Sequence, residues 1–184
     1  MTTIYTVGHG TRTLAEFVDV VRAVPVDKIV DVRRFPGSRR HPHFSREALE
    51  ATLPSHGIEY EMWGEALGGR RDSQGSESRH YAWRNDSFRA YADHMDTDEF
   101  QRALDALERA AAETPLAVMC AERLWWNCHR RLIADALTLR GHDVVHLMDP
   151  TTQQPHKLHE NVRADPAGLA VYDVGVTAEL DLDP

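Results

Sequence analysis

The chain has 184 residues, of which 42% are hydrophobic and 27% charged, and a formal net charge of −8. A typical domain of about 150 residues makes this one domain, able to bury roughly 70% of its unfolded surface without staples. The composition argues against a disordered chain, and two cysteines are too few for a disulfide framework. The longest apolar runs, such as Leu116–Cys120, fall far short of the roughly 20 residues of a membrane span.

The elements follow in chain order. Ile4–Val7 reads as a strand that ends in the turn Gly8-His9-Gly10. Thr13 and Glu16 have capping-box spacing, and Leu14, Phe17, Val18, Val21 and Val24 continue at helical spacing until Pro25. Lys28–Val32 is a second strand, and Arg33–Phe44 a polar stretch. Ser45 caps a helix through Leu53, with Gly57 just beyond its end. Ile58–Trp63 is a third strand. Residues 64–85 form a long irregular loop, the length expected of a functional or disordered segment. Phe88–Met95 and a helix capped by Thr97 follow, then Leu116–Cys120, a continuously apolar strand of the buried kind. A helix from Cys128 to Arg140 stops at Gly141, and Val144–Met148 is the last clear strand. Residues 149–184 form a polar, acidic extension in which Leu169–Val174 could add an edge strand.

Alternating strands and helices predict a single α/β domain over residues 1–184: a Rossmann-like, mainly parallel sheet of about five strands with helices on both faces. In such sheets ligands bind beyond the carboxyl ends of the strands. Unusual residues collect at those ends: Gly8-His9-Gly10; then Asp31, Arg33 and the loop Pro36-Gly37-Ser38-Arg39-Arg40; then Leu67-Gly68-Gly69-Arg70; and Cys120-Ala121-Glu122 with Cys128-His129-Arg130. The charge is also local. Between Arg22 and Arg46, seven basic residues stand against Asp27 and Asp31 on an otherwise acidic chain. That pattern fits a small anion or a single phosphate better than a long polyanion, and a solvated basic loop is the plainer alternative.

The same residues carry a resemblance. Thr6-Val7-Gly8-His9, Asp31-Val32-Arg33 with Pro36 and Ser38-Arg39, Leu67-Gly68-Gly69, Met119-Cys120-Ala121-Glu122 and Cys128-His129-Arg130 resemble, in order and spacing, the motifs of domain-of-unknown-function family 488. The resemblance runs from about Thr3 to Leu147. It implies the fold and the place of the site, but no reaction. The family pattern has Ser after the first His, where this chain has Gly10. The layout of strand, Cys, loop and helix with Arg is also that of rhodaneses and cysteine-dependent phosphatases. Here the interval from Cys120 to Arg130 is longer than their loops and holds Trp125 and Trp126.

Three chemistries can use these parts. A thiolate of Cys120 or Cys128 could be a nucleophile, with His129 or His9 as base, Asp31 or Glu122 as further acid–base groups, and Arg33, Ser38, Arg39, Gly68, Gly69, Arg70 and Arg130 holding an anionic substrate. Cys120 and Cys128 could instead form a reversible disulfide. Or Cys120, Cys128, His129 and His9 could bind zinc or iron, which suit soft S/N ligands. Against each stands a bland alternative: Cys120 as a small buried hydrophobe, Asp31 as the orienting partner of Arg33, and His41-Pro42-His43 and the pair His156/His159 as turns. Trp63, Trp83, Trp125 and Trp126 could stack on bases or simply be core and rim. The leading expectation is a cysteine-dependent enzyme for a small anionic or phosphate-containing substrate. The alternatives are a nucleic-acid-binding or processing module and a metal-binding or redox-sensing protein. The expected compartment is the cytoplasm with reduced thiols, since Met1-Thr2-Thr3-Ile4-Tyr5 lacks a basic region followed by an apolar run, and no membrane contact is expected.

Overall fold

Apolar residues at alternate positions build a sheet core in this chain, and the computed structural model describes that sheet within residues 1–37, 39–73 and 78–176. Five strands run parallel: β1 (Thr3–Gly8), β2 (Lys28–Asp31), β3 (Glu59–Met62), β4 (Leu116–Cys120) and β5 (Asp143–Asp149). β6 (Thr152–Pro155) adds antiparallel to β5, giving the order β3-β2-β4-β1-β5-β6. The fold is thus the anticipated Rossmann-like α/β class with one more strand. β6 escapes a pattern-based reading because Thr-Gln-Gln-Pro has no apolar alternation.

Six α-helices are defined among the described residues: α1 (Leu14–Arg22), α2 (Arg46–Thr52), α3 (Gly64–Leu67), α4 (Asp86–Met95), α5 (Asp98–Glu113) and α6 (Arg130–Leu139). Both halves of the Thr13–Glu16 capping box form. The side chains pointing one way from the strands, among them Val7, Ile29, Ala117 and Met119, pack with Phe17, Val21, Phe44 and Leu49 from α1 and the α2 region. Those pointing the other way, Ile4, Val30, Val118 and Cys120, pack with Tyr91, Phe100, Leu104, Leu132 and Ile133 from α4, α5 and α6. The period-2 alternation of strands therefore creates two cores and three layers. No helix among the described residues is long and apolar enough to cross a membrane.

Three expectations shift. The segment Leu169–Val174 does contain a strand, β8 (Ala170–Tyr172), but it pairs with β7 (Val162–Ala164) in a separate two-stranded ribbon. The outer edge of β5 is already occupied by β6. The helix expected from Cys128 begins at Arg130, because Cys128 is extended, at φ −133° and ψ 152°. The irregular stretch 64–85 opens with α3 and closes with Asn85 capping α4; residues 74–77 lie outside the described residues.

Topology places the site. From β2 the chain moves outward to β3, whereas from β4 it moves the opposite way, past β1 to β5. Neighbouring strands whose connections diverge leave a crevice at their carboxyl ends. Here those strands are β2 and β4, which lead into Arg33 and Cys120.

Candidate functional site

The crevice is a cavity of about 580 Å³ lined by, among others, Arg33, Arg34, Gly69, Arg70, Cys120, Glu122, Cys128 and His129. Its floor is made where the β4–α6 loop turns over β1. His9 N–H donates to Cys120 O (3.0 Å) and Gly10 N–H to Ala121 O (2.9 Å), carrying the ladder past the strand ends. Gly8 is required for that approach: a Cβ there would lie 1.8 Å from the Glu122 carbonyl oxygen. Gly10, the departure from the family's Ser, has φ +56°, which favours glycine.

Cys120 ends β4 and Cys128 precedes α6, and their sulfurs stand 2.7 Å apart. Both thiols are free and buried. Arg130, only 1% exposed, lies behind them. Its Nε donates to Cys120 Sγ (2.9 Å), its Nη1 to Thr6 Oγ1 (3.0 Å) and its Nη2 to Glu122 O (2.5 Å). The Arg130 backbone N–H also points at Cys128 Sγ (3.5 Å), so Cys128 meets the first turn of α6 as a capping side chain would. Burial raises the Cys120 thiol well above its ordinary range. Burial opposes ionisation of Cys128 too. A hydrogen bond from Cys120 and the charge and donors of Arg130 outweigh it and bring Cys128 down to about 7. Cys120 therefore keeps its proton and offers it to Cys128, the more acidic of the two thiols.

His129 completes the arrangement. Its Nε2 lies 3.2 Å from the Val32 carbonyl, which can only accept, so the proton sits on Nε2. Burial lowers the His129 pKa, keeping the ring neutral and leaving Nδ1 as an acceptor 3.5 Å from Cys128 Sγ. This is a Cys–His pair with the base oriented by a third group.

The remaining anticipated residues divide. Arg33 borders the cavity, gripped by Asp31 through Nε (2.9 Å to Oδ1) and Nη2 (2.6 Å to Oδ2). Burial opposes its charge, and the Asp31 carboxylate more than offsets that. Asp31 is itself fully buried and also accepts from the Tyr60 hydroxyl (2.7 Å), so it orients Arg33 and does not reach the cavity. His9 is stacked on Phe44 and takes the Arg33 Nη1 donor on Nε2 (3.1 Å). Burial brings its pKa down to about 4, and no acceptor nitrogen faces the thiols. Glu122 borders the cavity, but its carbonyl, not its carboxylate, receives Arg130. Gly69 and Arg70 are on the wall. Gly68 instead abuts the backbone of Gly64 and Arg34. Arg39 is exposed and off the cavity wall, and Ser38 lies outside the described residues. Arg130 is also off the wall and buried.

Arg34, Phe35, Asn85, Ser87, Phe88 and Tyr91 line the cavity without having been singled out in the sequence. The guanidinium groups of Arg34 and Arg70 flank the exposed Phe35 ring, 5.5 and 6.0 Å from its centre. Arg70 has φ +59°, the left-handed region that a non-glycine residue occupies at a cost. Arg34 Nη1 donates to its carbonyl (2.6 Å). None of the four tryptophans lines the cavity. Among the described residues no three His, Cys, Asp or Glu side chains gather to hold a metal ion, and the set Cys120, Cys128, His129 and His9 is not assembled because Arg33 occupies His9.

Fold and site together define a Rossmann-like α/β protein with a buried thiol pair at the strand-end crevice. The chain belongs to the family described as Domain of unknown function DUF488, whose model matches residues 13–137. The match takes in Arg33, Gly69, Cys120, Cys128, His129 and Arg130 and begins after His9. No curated protein and no solved structure matches the chain.

Proposed function

We propose that this protein is a cysteine-dependent enzyme acting on a small anionic or phosphate-containing substrate in the crevice between β2 and β4. The observation that carries the reading is Cys128. Cys128 lines the cavity, and its sulfur is drawn toward the thiolate by Arg130 and Cys120 and faced by an acceptor nitrogen of His129. Arg34 and Arg70 supply positive potential on the same wall, where Arg33 is paired with Asp31. The Cys128 sulfur forms a bond to the electrophilic centre of the substrate as the bond to the leaving group breaks. The thiol proton passes to His129 Nδ1, from which it is returned to the leaving group.

Alkylation of the folded protein, mapped separately at the two thiols across pH, tests this. Cys128 reacts with a midpoint near pH 7 and Cys120 stays inert. A Cys128 that reacts only after unfolding overturns the reading.

The 2.7 Å separation of the sulfurs favours a second reading, a redox pair. Closing a bond of about 2.05 Å needs a small approach. The two thiols would release two protons and pass two electrons to a disulfide or hydroperoxide acceptor, which is thereby reduced to two thiols or to an alcohol and water. Loss of both free thiols in the folded protein, reversed by a dithiol reductant, separates this reading from the first.

A further inference from the structure

Arg130 is a buried cation, and its Nη1 leads away from the thiols into a file of polar side chains. Thr6 Oγ1 lies 3.0 Å from Arg130 Nη1 and 2.7 Å from His146 Nδ1. His146 Nε2 lies 2.9 Å from His156 Nδ1, and His156 Nε2 lies 2.8 Å from Asp135 Oδ1. Asp135 also accepts from the His159 backbone N–H (3.0 Å) and the Tyr172 hydroxyl (2.9 Å). Thr6, His146 and Asp135 are at most 1% exposed, as is the His156 side chain. The strand pattern brings the first members together: Thr6 and His146 are directly paired in the β1–β5 register and share the face covered by α6. Asp135 comes from α6 itself, and His156 follows β6.

The direction of the file follows from its ends. A guanidinium only donates and a carboxylate only accepts. With one proton on each imidazole, His156 gives its Nε2 proton to Asp135 and accepts on Nδ1. His146 gives its Nε2 proton to His156 and accepts on Nδ1. Thr6 gives its hydroxyl proton to His146 and accepts from Arg130. Every bond is polarised from Arg130 toward Asp135, and bonds aligned in this way strengthen one another. Trp125, from the loop that carries the thiols toward α6, stacks on His146 at 4.2 Å and 7°.

We infer that Thr6, His146, His156 and Asp135 are positioning residues, a directed hydrogen-bond file that holds the Arg130 guanidinium against the Cys120–Cys128 pair. The file does not relay protons from the thiols, because Arg130 stands between and keeps its own protons. It links the buried cation to the buried carboxylate, so each is offset without direct contact. His146 and Tyr172, and Thr6 at the other end of the chain, lie outside the residues matched by the family model. The inference deepens the thiol reading, resting on it only for the use made of Cys128.

Thr6→Val removes the hydroxyl at nearly constant shape, and Thr6→Ser keeps it. In Thr6→Val the midpoint for Cys128 alkylation rises by about one pH unit, and the rate below the midpoint falls about tenfold. Thr6→Ser stays near the wild type. The titratable groups facing Cys128 are Cys120, His129, Arg130 and, from α4, Tyr91, all retained in both variants. A folded Thr6→Val protein that alkylates as the wild type does overturns the inference, and a wild-type Cys128 inert until unfolding overturns the enzyme reading instead. Nitrogen NMR of the imidazoles decides the file whichever way the thiol behaves. His146 and His156 should both be neutral, protonated on Nε2 and bare on Nδ1. A His156 imidazolium, or an Nδ1–H on His146, overturns the directed file.

Discussion

The Nδ1 of His129 faces the sulfur of Cys128 at 3.5 Å while its Nε2 is tied to the Val32 carbonyl at 3.2 Å. Adjacent residues in a chain seldom meet in this way. They do so here because Cys128 is extended and His129 is already in helical geometry, which folds the ring back beside the sulfur. His129→Ala removes the only imidazole nitrogen that faces Cys128 among the described residues. Its Cys128 should alkylate more slowly at neutral pH, and any turnover should fall by about 10²–10⁴-fold, the usual contribution of a general base. Mapped alkylation at pH 7 checks the first of these directly.

Cys120→Ala tests the division of labour between the sulfurs. The substitution removes the donor that supports the Cys128 thiolate, so the alkylation midpoint of Cys128 moves up from about 7. It also leaves the Arg130 Nε donor buried without its acceptor. A buried unsatisfied group costs about 1–3 kcal/mol or more, so chemical denaturation should show a loss of at least that size. A variant with unchanged stability and an unchanged midpoint would mean that Cys120 is filler.

Much of this was legible in the sequence. The Thr13–Glu16 capping box, the apolar run Leu116–Cys120 and the clustering of Arg33, Gly69, Cys120 and Cys128 at strand ends all follow from spacing that needs no tertiary knowledge. What was hidden depends on contacts distant in sequence. Arg130 looks like an anion ligand when only its charge is visible; in the fold its guanidinium is spent on Cys120, Thr6 and Glu122. Asp31 reads equally as an acid–base group or as an orienting partner until its bonds to Arg33 and Tyr60 choose the second. The file from Thr6 to Asp135 is scattered over three elements and the segment after β6, and no periodicity marks it. Arg34 and Phe35 sat in the basic stretch, but only the turn that lays them beside Arg70 makes them wall residues.

Acid stability should carry the signature of His9. Burial holds its folded pKa near 4, against an ordinary 6.5. The unfolded chain therefore takes up a proton at His9 as pH falls below about 6.5, while the folded chain does not until about 4. Stability is lost across that window and the loss levels off below it, amounting to about 3 kcal/mol for a shift of this size. His146, whose pKa is also lowered by burial to about 2, acts with the same sign. Replacing His9 by Asn should flatten the dependence of unfolding free energy on pH between 6 and 5 by up to about 1.4 kcal/mol per pH unit. Equal slopes for the two proteins would show that His9 protonates as freely in the fold as outside it.

Asp31→Asn separates support from chemistry. Asp31 is fully buried and holds Arg33, a partner only 7% exposed. Losing one member of a buried pair costs about 3–5 kcal/mol, because the other charge stays behind. The variant should melt well below the wild type. Cys128, which Asp31 does not touch, should keep its alkylation midpoint wherever the protein remains folded. A shifted midpoint would place Asp31 in the thiol machinery.

The arginine wall makes a prediction that needs no knowledge of the substrate. Iodoacetate and iodoacetamide attack the same sulfur and differ mainly in charge. With Arg33, Arg34 and Arg70 on the cavity wall, the ratio of iodoacetate to iodoacetamide rates at Cys128 should exceed the ratio for a free thiol. Arg70→Ala and Arg34→Ala should each bring the ratio down. Added salt should do so as well, since the Debye length shrinks from about 10 Å at 0.1 M to about 3 Å at 1 M. Inorganic phosphate that protects Cys128 at an ionic strength where chloride does not would point to a bound anion and not to screening. A ratio equal to that of the free thiol, indifferent to both arginines, would remove the anionic substrate from the proposal while leaving the reactive thiol in place. A short oligonucleotide that protects the thiol better than phosphate, with protection that weakens steeply in salt, would move the protein toward nucleic-acid chemistry instead.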